Sequence, residues 1–515
     1  MNISELLKSQ AEKYGDKPFL FFDDEQMSYG HFDETVGRFA NGLTSLGMKK
    51  GDMVAIMLPN SPAFLISWMG VNRIGAIEVP ININFKQGEV EYILRHSEAS
   101  AIILSQDGYE LFSKIETTAL PHLKHKIILG GNHQPKGATP YSQLLEHPSE
   151  FRGPMISEED PAVCIYTSGT TDRPKGVLNS HGSWVLTGQA YAHTAGISPD
   201  DRVMTPNPLF HANAQVYATM GSLCAGASLV LLKRFSASQI IEQSRRYGAN
   251  KMILVQAVVP WVWERPFRDD DAVNPVGTMI AGNVPKEIYY DFEKRFGLKI
   301  QTIYSLTEAV MGIMGPRKAE KRKPGGVGVP MEHPNGSITN SIKIVDEQGN
   351  ENPPGQEGEI IIRNPAVMLK YLKNLEATGS TKKNGWIYTG DIGRQDRDGY
   401  FFFVGRKKEV IRRRGELISP SEIEAVVNRH PKVLESAAIG VPSPLGEGEE
   451  EIKLFVRLKP GAKVAEGDIV SWCKQNLAEF KTPKHVEFRD DFPRSAIGRI
   501  QKSVLKDSTK PASHK

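Results

Sequence analysis

Two observations predict a largely parallel α/β fold: short apolar runs recur, and helix-patterned segments lie between them. The runs are Ala101-Ile-Ile-Leu104, Lys126-Ile-Ile-Leu129, Val163-Cys-Ile-Tyr166, Ser228-Leu-Val-Leu-Leu232 and Met252-Ile-Leu-Val255. Each has the length of a buried strand and lies far short of a membrane span. Between the fourth and fifth run, Ser236 to Tyr247 repeats apolar residues at helical spacing, with Ser236 or Ser238 in place to cap it. Strand alternating with helix is the signature of a parallel sheet.

The pattern changes past about residue 330. Period-2 strands, Ser341 to Asp346 and Gly358 to Arg363, are separated by turn-rich pieces such as Glu351-Asn-Pro-Pro-Gly355, which predicts a small β subdomain. A basic stretch, Gly405 to Gly415, precedes a helix pattern at Pro420 to Arg429, and the main domain boundary is placed there. This divides the chain into residues 1–407, with the β subdomain at about 331–407, and residues 408–515. The polar tail Lys506 to Lys515 is expected to fray.

With 515 residues, the chain is long enough for several domains. Its 63 Lys plus Arg nearly balance 60 Asp plus Glu, so the net charge of +3 argues against a nucleic-acid partner. Anion binding is therefore a local matter. Three scattered cysteines, Cys164, Cys224 and Cys473, make neither a C-x-x-C pair nor a disulfide framework, which points to a reducing compartment. With no export signal in the first residues and no membrane span, a cytoplasmic protein is expected.

The richest segment is Tyr166-Thr-Ser-Gly-Thr-Thr-Asp-Arg-Pro-Lys175-Gly-Val177, directly after an apolar strand. Glycines allow a tight backbone whose N–H groups face an anion, hydroxyls add donors, and Lys175 adds a charge. Read alone it is also an ordinary surface turn; its companions decide for a phosphate cradle. Tyr304-Ser-Leu-Thr-Glu308 follows the strand-like Lys299 to Ile303, at the edge where open α/β sheets bind ligands. A carboxylate facing phosphates calls for a bridging cation, so Glu308 is a candidate Mg²⁺ ligand with Thr307 as a phosphate donor; in isolation Glu308 reads as the start of a helix. Gly385 to Asp391 puts Asp391 at a turn, with two oxygens for the hydroxyls of a ribose, or in an Asx turn.

Taken together, these segments resemble the adenylate-forming superfamily of acyl-CoA synthetases, luciferases and peptide-synthetase adenylation domains, and within it bacterial crotonobetaine/carnitine-CoA ligases. The resemblance runs from about residue 10 to 506. The cradle matches T-S-G-T-T-G-x-P-K-G, Tyr304 to Glu308 match Y-G-x-T-E, Tyr388 to Asp391 match Y-T-G-D, and Gly405-Arg406 match the hinge motif. Phe210-His211, Gly282-Asn283-Val-Pro285, Gly326 to Pro330 and Glu376-Ala-Thr378 agree as well.

What the resemblance implies is a large domain of parallel-sheet α/β subdomains plus a small β-barrel subdomain, followed by a small mobile α+β C-terminal domain. It also implies a two-step ligase that uses ATP, Mg²⁺ and coenzyme A to convert a carboxylic acid into acyl-AMP and then a thioester. Carried over residue by residue, Thr167, Ser168, Gly169, Thr170, Thr171 and Lys175 wrap the phosphates. Gly282, Asn283, Tyr304, Ser305 and Thr307 meet the nucleotide, Tyr304 stacking on adenine, and Asp391 and Arg406 hold ribose. His211 sits beside the reacting carboxylate, although a lone histidine is more often structural. Lys408 is the hinge, and Arg414, Gly415 and Glu416 line the coenzyme A channel. Monomer and homo-oligomer both stand.

The chain departs from the family at four places. Arg499 occupies the position of the adenylation lysine; either Arg499 does the work, Lys502 substitutes, or adenylation is slow, and the first is favoured. Asp172 stands for a glycine and is expected to face solvent, Ser305 stands for another, and Arg414 for the first glycine of G-G-E. The acyl pocket is expected to draw on His211, Trp261, Met311 and Met314, each also a plausible core residue, and to suit a small to medium apolar acid ahead of a carnitine-like one. The rivals are an adenylating enzyme with a non-CoA acceptor such as a carrier protein, and a nucleotide-binding protein without catalysis.

Overall fold

The computed structural model describes residues 1–131, 135–167, 174–255, 258–282, 284–407, 409–413, 416–443, 450–494, 498 and 500–509. The chain divides into two compact units: Met1–Ile342 with Ile362–Tyr388, and Lys343–Ile361 with Thr389–Lys515. The second unit thus takes in strands near residues 343–361 and 389–407 that the sequence reading groups with the larger domain.

The first unit is built on two sheets. One has eight strands, and its centre, Met53–Met57, Ile77–Pro80, Ala101–Ser105, His125–Leu129 and Pro161–Thr167, is parallel. The other has nine strands, with Arg202–Thr205, Ser228–Leu231, Lys251–Leu254, Thr278–Ala281 and Lys299–Leu306 in a parallel run. Every apolar run picked out from the sequence is a strand of one of these sheets. Antiparallel pairs sit toward the ends, and two of them, Pro161–Thr167 with Lys175–Ser180 and Lys299–Leu306 with Ala309–Met314, carry site residues.

The sheets share a core. Helices Pro62–Arg73 and His181–Ala195 are packed in one buried cluster with Val54 and Ile165 of one sheet and Val203 and Ile303 of the other. A helix walled by sheets on two sides must be apolar nearly all round, and from Phe64 to Arg73 no residue is exposed. Separate clusters cover the outer faces, one including Ile240 and Phe292, the other Ile93 and Phe112.

Helix Ile240–Tyr247 starts later than its pattern predicts, and neither serine caps it: the Ser236 and Ser238 hydroxyls lie 3.2 Å from each other.

In the second unit, residues 391–395 of strand Trp386–Gln395 pair antiparallel with Phe401–Arg406. Farther along, Val433–Pro442, Glu450–Leu458 and His485–Phe488 form a three-stranded sheet whose core takes in Ile423, Ile469 and Cys473 from helices Pro420–Val427 and Glu466–Asn476. No helix of the described residues is long and apolar enough to cross a membrane.

Candidate active site

The cradle begins and ends on paired strands. Thr167 closes one and Lys175 opens the next, and the two are direct cross-strand partners. Ser168, Gly169, Thr170, Thr171 and Asp172 lie outside the described residues. Antiparallel pairing across this gap brings the two ends of the phosphate segment together, as a tight anion-binding loop requires.

Thr307 and Glu308 are the two-residue turn of the hairpin formed by Lys299–Leu306 and Ala309–Met314, where Leu306 faces Ala309. Glu308 therefore starts no helix. Tyr304 and Ser305 belong to the strand itself, which runs longer than its apolar stretch because it gains a partner on each side. Gly312 is required at its position: a Cβ there would meet the Tyr304 carbonyl oxygen at 2.1 Å. The turn is pinned from neighbouring elements. Asn179 Nδ2 donates to the Thr307 carbonyl at 3.2 Å, and the Met368 amide donates to the Glu308 carbonyl at 2.9 Å.

One residue joins the two regions. The Tyr371 hydroxyl donates to Glu308 Oε1 at 2.8 Å, while Lys175 Nζ lies 5.1 Å from the centre of the same ring. Burial and the adjacent Glu308 charge push the Tyr371 phenol up, so it stays protonated and a donor. The sequence reading missed Tyr371; its nearest signal is the Glu376-Ala-Thr378 segment a few residues on.

The loop carrying His211 is held by buried amides. Asn60 accepts from the Leu209 amide at 2.9 Å and donates to the Asn207 and Leu232 carbonyls. Gln215, in the π-helix Asn213–Met220, donates to the Leu209 carbonyl at 2.9 Å and to Glu78, and accepts from Trp184 Nε1. π-Helical turns are uncommon and recur at functional sites. Glu78 is fully buried, and burial holds its carboxyl well above the usual range against the opposing hydrogen bond from Gln215. His211 itself lies against Phe210, ring centres 4.8 Å apart. Tyr217, from the same π-helix, places its hydroxyl 2.6 Å from both Ser305 Oγ and the Val310 carbonyl.

Of the other expected pocket residues, Met311 and Met314 are fully buried in the main core. Trp261, in helix Val259–Glu264, is not gathered with them: it is 43 % exposed, and its ring centre lies 6.2 Å from that of Phe235. Gly282 directly follows strand Thr278–Ala281, at the C-terminal edge of the parallel run, and Asn283 lies outside the described residues.

Within the second unit, Asp391 and Arg406 are cross-strand partners, with Arg406 Nε 3.4 Å from Asp391 Oδ1. Asp391 is thus in a strand and not at the predicted turn. Gly390, at φ 70°, supplied the turn signal, but pairing with Phe401–Arg406 carries the strand through. Lys408, Arg414, Gly415 and Arg499 lie outside the described residues; of Glu416 the backbone is described, opening the strand Glu416–Ile418.

Residues 7–372 match the model of the AMP-binding enzyme family, and residues 422–499 match its AMP-binding enzyme C-terminal domain. The chain belongs to the AMP-binding enzyme family. Among curated relatives of this AMP-binding enzyme, crotonobetaine/carnitine–CoA ligase of Salmonella typhimurium is 34% identical over 98% of this chain and 99% of its own length. Among solved structures, the anthranilate CoA ligase AuaEII in complex with anthranoyl-AMP superposes with a TM-score of 0.90 at 26% identity, covering 99% of this chain and 97% of that one. ATP-bound MatB from Rhodopseudomonas palustris gives 0.88 at 26% identity, covering 99% of each.

Proposed function

We propose that this AMP-binding enzyme is an ATP-dependent acid–CoA ligase. In the first half-reaction a carboxylate oxygen attacks the α-phosphorus of ATP, and pyrophosphate leaves with the electron pair of the broken P–O bond. In the second, the coenzyme A thiolate attacks the acyl carbonyl carbon and AMP departs. The observation that carries this reading is the convergence of Lys175 and Glu308 on Tyr371, which gathers a phosphate-binding cation and a carboxylate at one place in a chain matched end to end by ligases.

Thr167, Ser168, Gly169, Thr170, Thr171 and Lys175 hold the phosphates, and Thr307 donates to a phosphate oxygen. Gly282, Asn283, Tyr304 and Ser305 seat the base, Asp391 and Arg406 the ribose, and Arg499 stabilises charge at the α-phosphate. Mg²⁺ fits here: it takes one or two carboxylates together with nucleotide phosphates and water, and Glu308 on a half-buried hairpin turn offers one carboxylate already oriented by a phenol. When bound it would neutralise phosphate charge. Positioning does most of the remaining work, since phosphoryl transfer asks little covalent chemistry of a protein.

Lys408 serves as hinge between residues 1–407 and a mobile 408–515, and Arg414, Gly415 and Glu416 line the thiol path. His211 stands beside the reacting carboxylate, with Met311 and Met314 behind the acyl group. The acid is small to medium and largely apolar. Strand Ala309–Met314, buried at all six residues, supports the apolar character, and the acids named for the relatives support the small size alone. Three free cysteines, two of them buried, support a cytoplasmic setting.

A screen of carboxylic acids for pyrophosphate release, with and without coenzyme A, tests the reading. Labelled pyrophosphate should exchange into ATP with short apolar acids, and multiple turnover should require coenzyme A. Turnover without coenzyme A or a carrier sinks the ligase assignment. No exchange with any acid leaves a nucleotide-binding protein.

A further inference from the structure

Tyr371 lies outside the motifs that define the proposed ligase, yet it touches two of them. Its ring receives the Lys175 ammonium at 5.1 Å and its hydroxyl donates to Glu308 at 2.8 Å. A cation and a carboxylate left side by side pair directly, and such a pair must be broken before phosphate and metal can use either charge. A phenol between them gives each a weaker partner, an aromatic face for the ammonium and a neutral donor for the carboxylate.

Tyr371 is itself held by backbone pairing and hydrogen bonds. Strand Lys370–Tyr371 pairs antiparallel with Lys175–Ser180, Tyr371 opposite Val177, so the residue is tied to the strand that Lys175 opens. The Leu372 amide donates to the Gly176 carbonyl at 2.7 Å, and the Tyr371 amide donates to Thr378 Oγ1 at 3.0 Å. Thr378 Oγ1 in turn donates to the Asn374 carbonyl at 2.7 Å, and Asn374 caps the helix Leu375–Thr381 by accepting from the Ala377 amide at 2.8 Å. Only 6% of the tyrosine is exposed.

We infer that Tyr371 is a positioning residue that keeps the Lys175 ammonium and the Glu308 carboxylate apart and oriented, so that a nucleotide and its metal meet a preset pair of charges. The inference rests on the ligase reading for what that pair binds. It does not rest on turnover, because binding reports the placement directly. Partners that orient a metal-binding carboxylate commonly matter about tenfold or more for metal affinity.

The test uses the full chain and two variants, Y371F, which keeps the ring and loses the hydroxyl, and Y371L, which loses both. Mg²⁺ is titrated into ATP-loaded protein by calorimetry, and ATP is titrated separately without metal. Exchange of labelled pyrophosphate is then followed against Mg²⁺ concentration. Y371F should weaken Mg²⁺ uptake about tenfold and leave metal-free ATP binding unchanged, with kcat for exchange returning to the wild-type value at saturating Mg²⁺. Y371L should weaken both. Wild-type Mg²⁺ uptake by Y371F overturns the inference, even if Y371L fails to fold. If the wild type binds Mg²⁺ and ATP but no acid supports exchange, the ligase reading falls while calorimetry still decides the role of Tyr371. A wild-type chain that takes up no Mg²⁺ with ATP overturns both.

Discussion

The Lys502 ammonium lies 2.8 Å from Glu424 and 3.7 Å from Glu409, with 16% of its side chain exposed. Burial alone would favour the neutral amine, yet the two carboxylates hold its pKa above the ordinary lysine value. Glu424 also accepts from the Ala438 amide at 2.7 Å, so the pair is built into the three-stranded sheet. A lysine bound this way is a structural cation. Of the three outcomes for the Pro493 to Lys502 segment, the geometry disfavours substitution by Lys502 and leaves two, Arg499 doing the work or slow adenylation.

K502M should therefore destabilise the chain by about 2–3 kcal/mol, because it strands Glu424 without its cation. Exchange per folded molecule should change less than about threefold, whereas R499A should cut exchange by about a hundredfold with little change in stability. Denaturant melts and exchange assays on the two variants check both halves; an inactive but stable K502M would reverse the assignment.

E308Q keeps the shape of the turn and removes its charge. Labelled-pyrophosphate exchange should fall by about a hundredfold or more at saturating acid, and the half-saturating Mg²⁺ concentration should rise. The melting temperature should stay within a few degrees of wild type, since the Tyr371 hydroxyl can donate to the amide oxygen.

G312A forces a methyl to within 2.1 Å of the Tyr304 carbonyl oxygen, a contact that backbone must move to relieve. The hairpin that presents Tyr304 and Glu308 should shift, costing about 2 kcal/mol and raising the KM for ATP more than that for the acid. Steady-state kinetics with each substrate varied in turn read this split.

Two buried groups set opposite pH limits. Glu78 keeps its proton in the folded chain well above 4.5, while the unfolded chain releases it. Stability is full below 4.5 and declines as pH rises toward the folded pKa, by about 1.4 kcal/mol per unit. E78Q, isosteric with the neutral acid, should flatten this decline. His181 runs the other way: burial pushes it down to about 4 against the pull of Asp160, so stability is full above 6.5 and is lost as pH falls to about 4. H181L should flatten that acid limb, worth on the order of 3 kcal/mol. Denaturant unfolding from pH 4 to 9 of both variants separates the two slopes.

The motifs of the candidate site were legible in the chain because each is a contiguous segment. Glycines, hydroxyls and a lysine after an apolar run announce themselves, whereas the hairpin turn at Thr307 and Glu308 did not, since Glu308 in isolation reads as the start of a helix. The errors fell where distant strands decide. Asp391 was expected at a turn because Thr-Gly precedes it, and cross-strand pairing with Arg406 made it part of a strand. Trp261 has the size of a pocket residue, but helix Val259–Glu264 turns it partly to solvent.

The amino-acid order alone determined the alternation of strand and helix, the family motifs and the presence of Lys175 and Glu308, since periodicity, turn chemistry and short spacings are written along one dimension. Only the tertiary structure decided what stands between those two charges. Tyr371 lies far along the chain from both, and it reaches them because Lys370–Tyr371 adds to the edge of strand Lys175–Ser180. Backbone hydrogen bonding between remote segments, which no local pattern encodes, put it there.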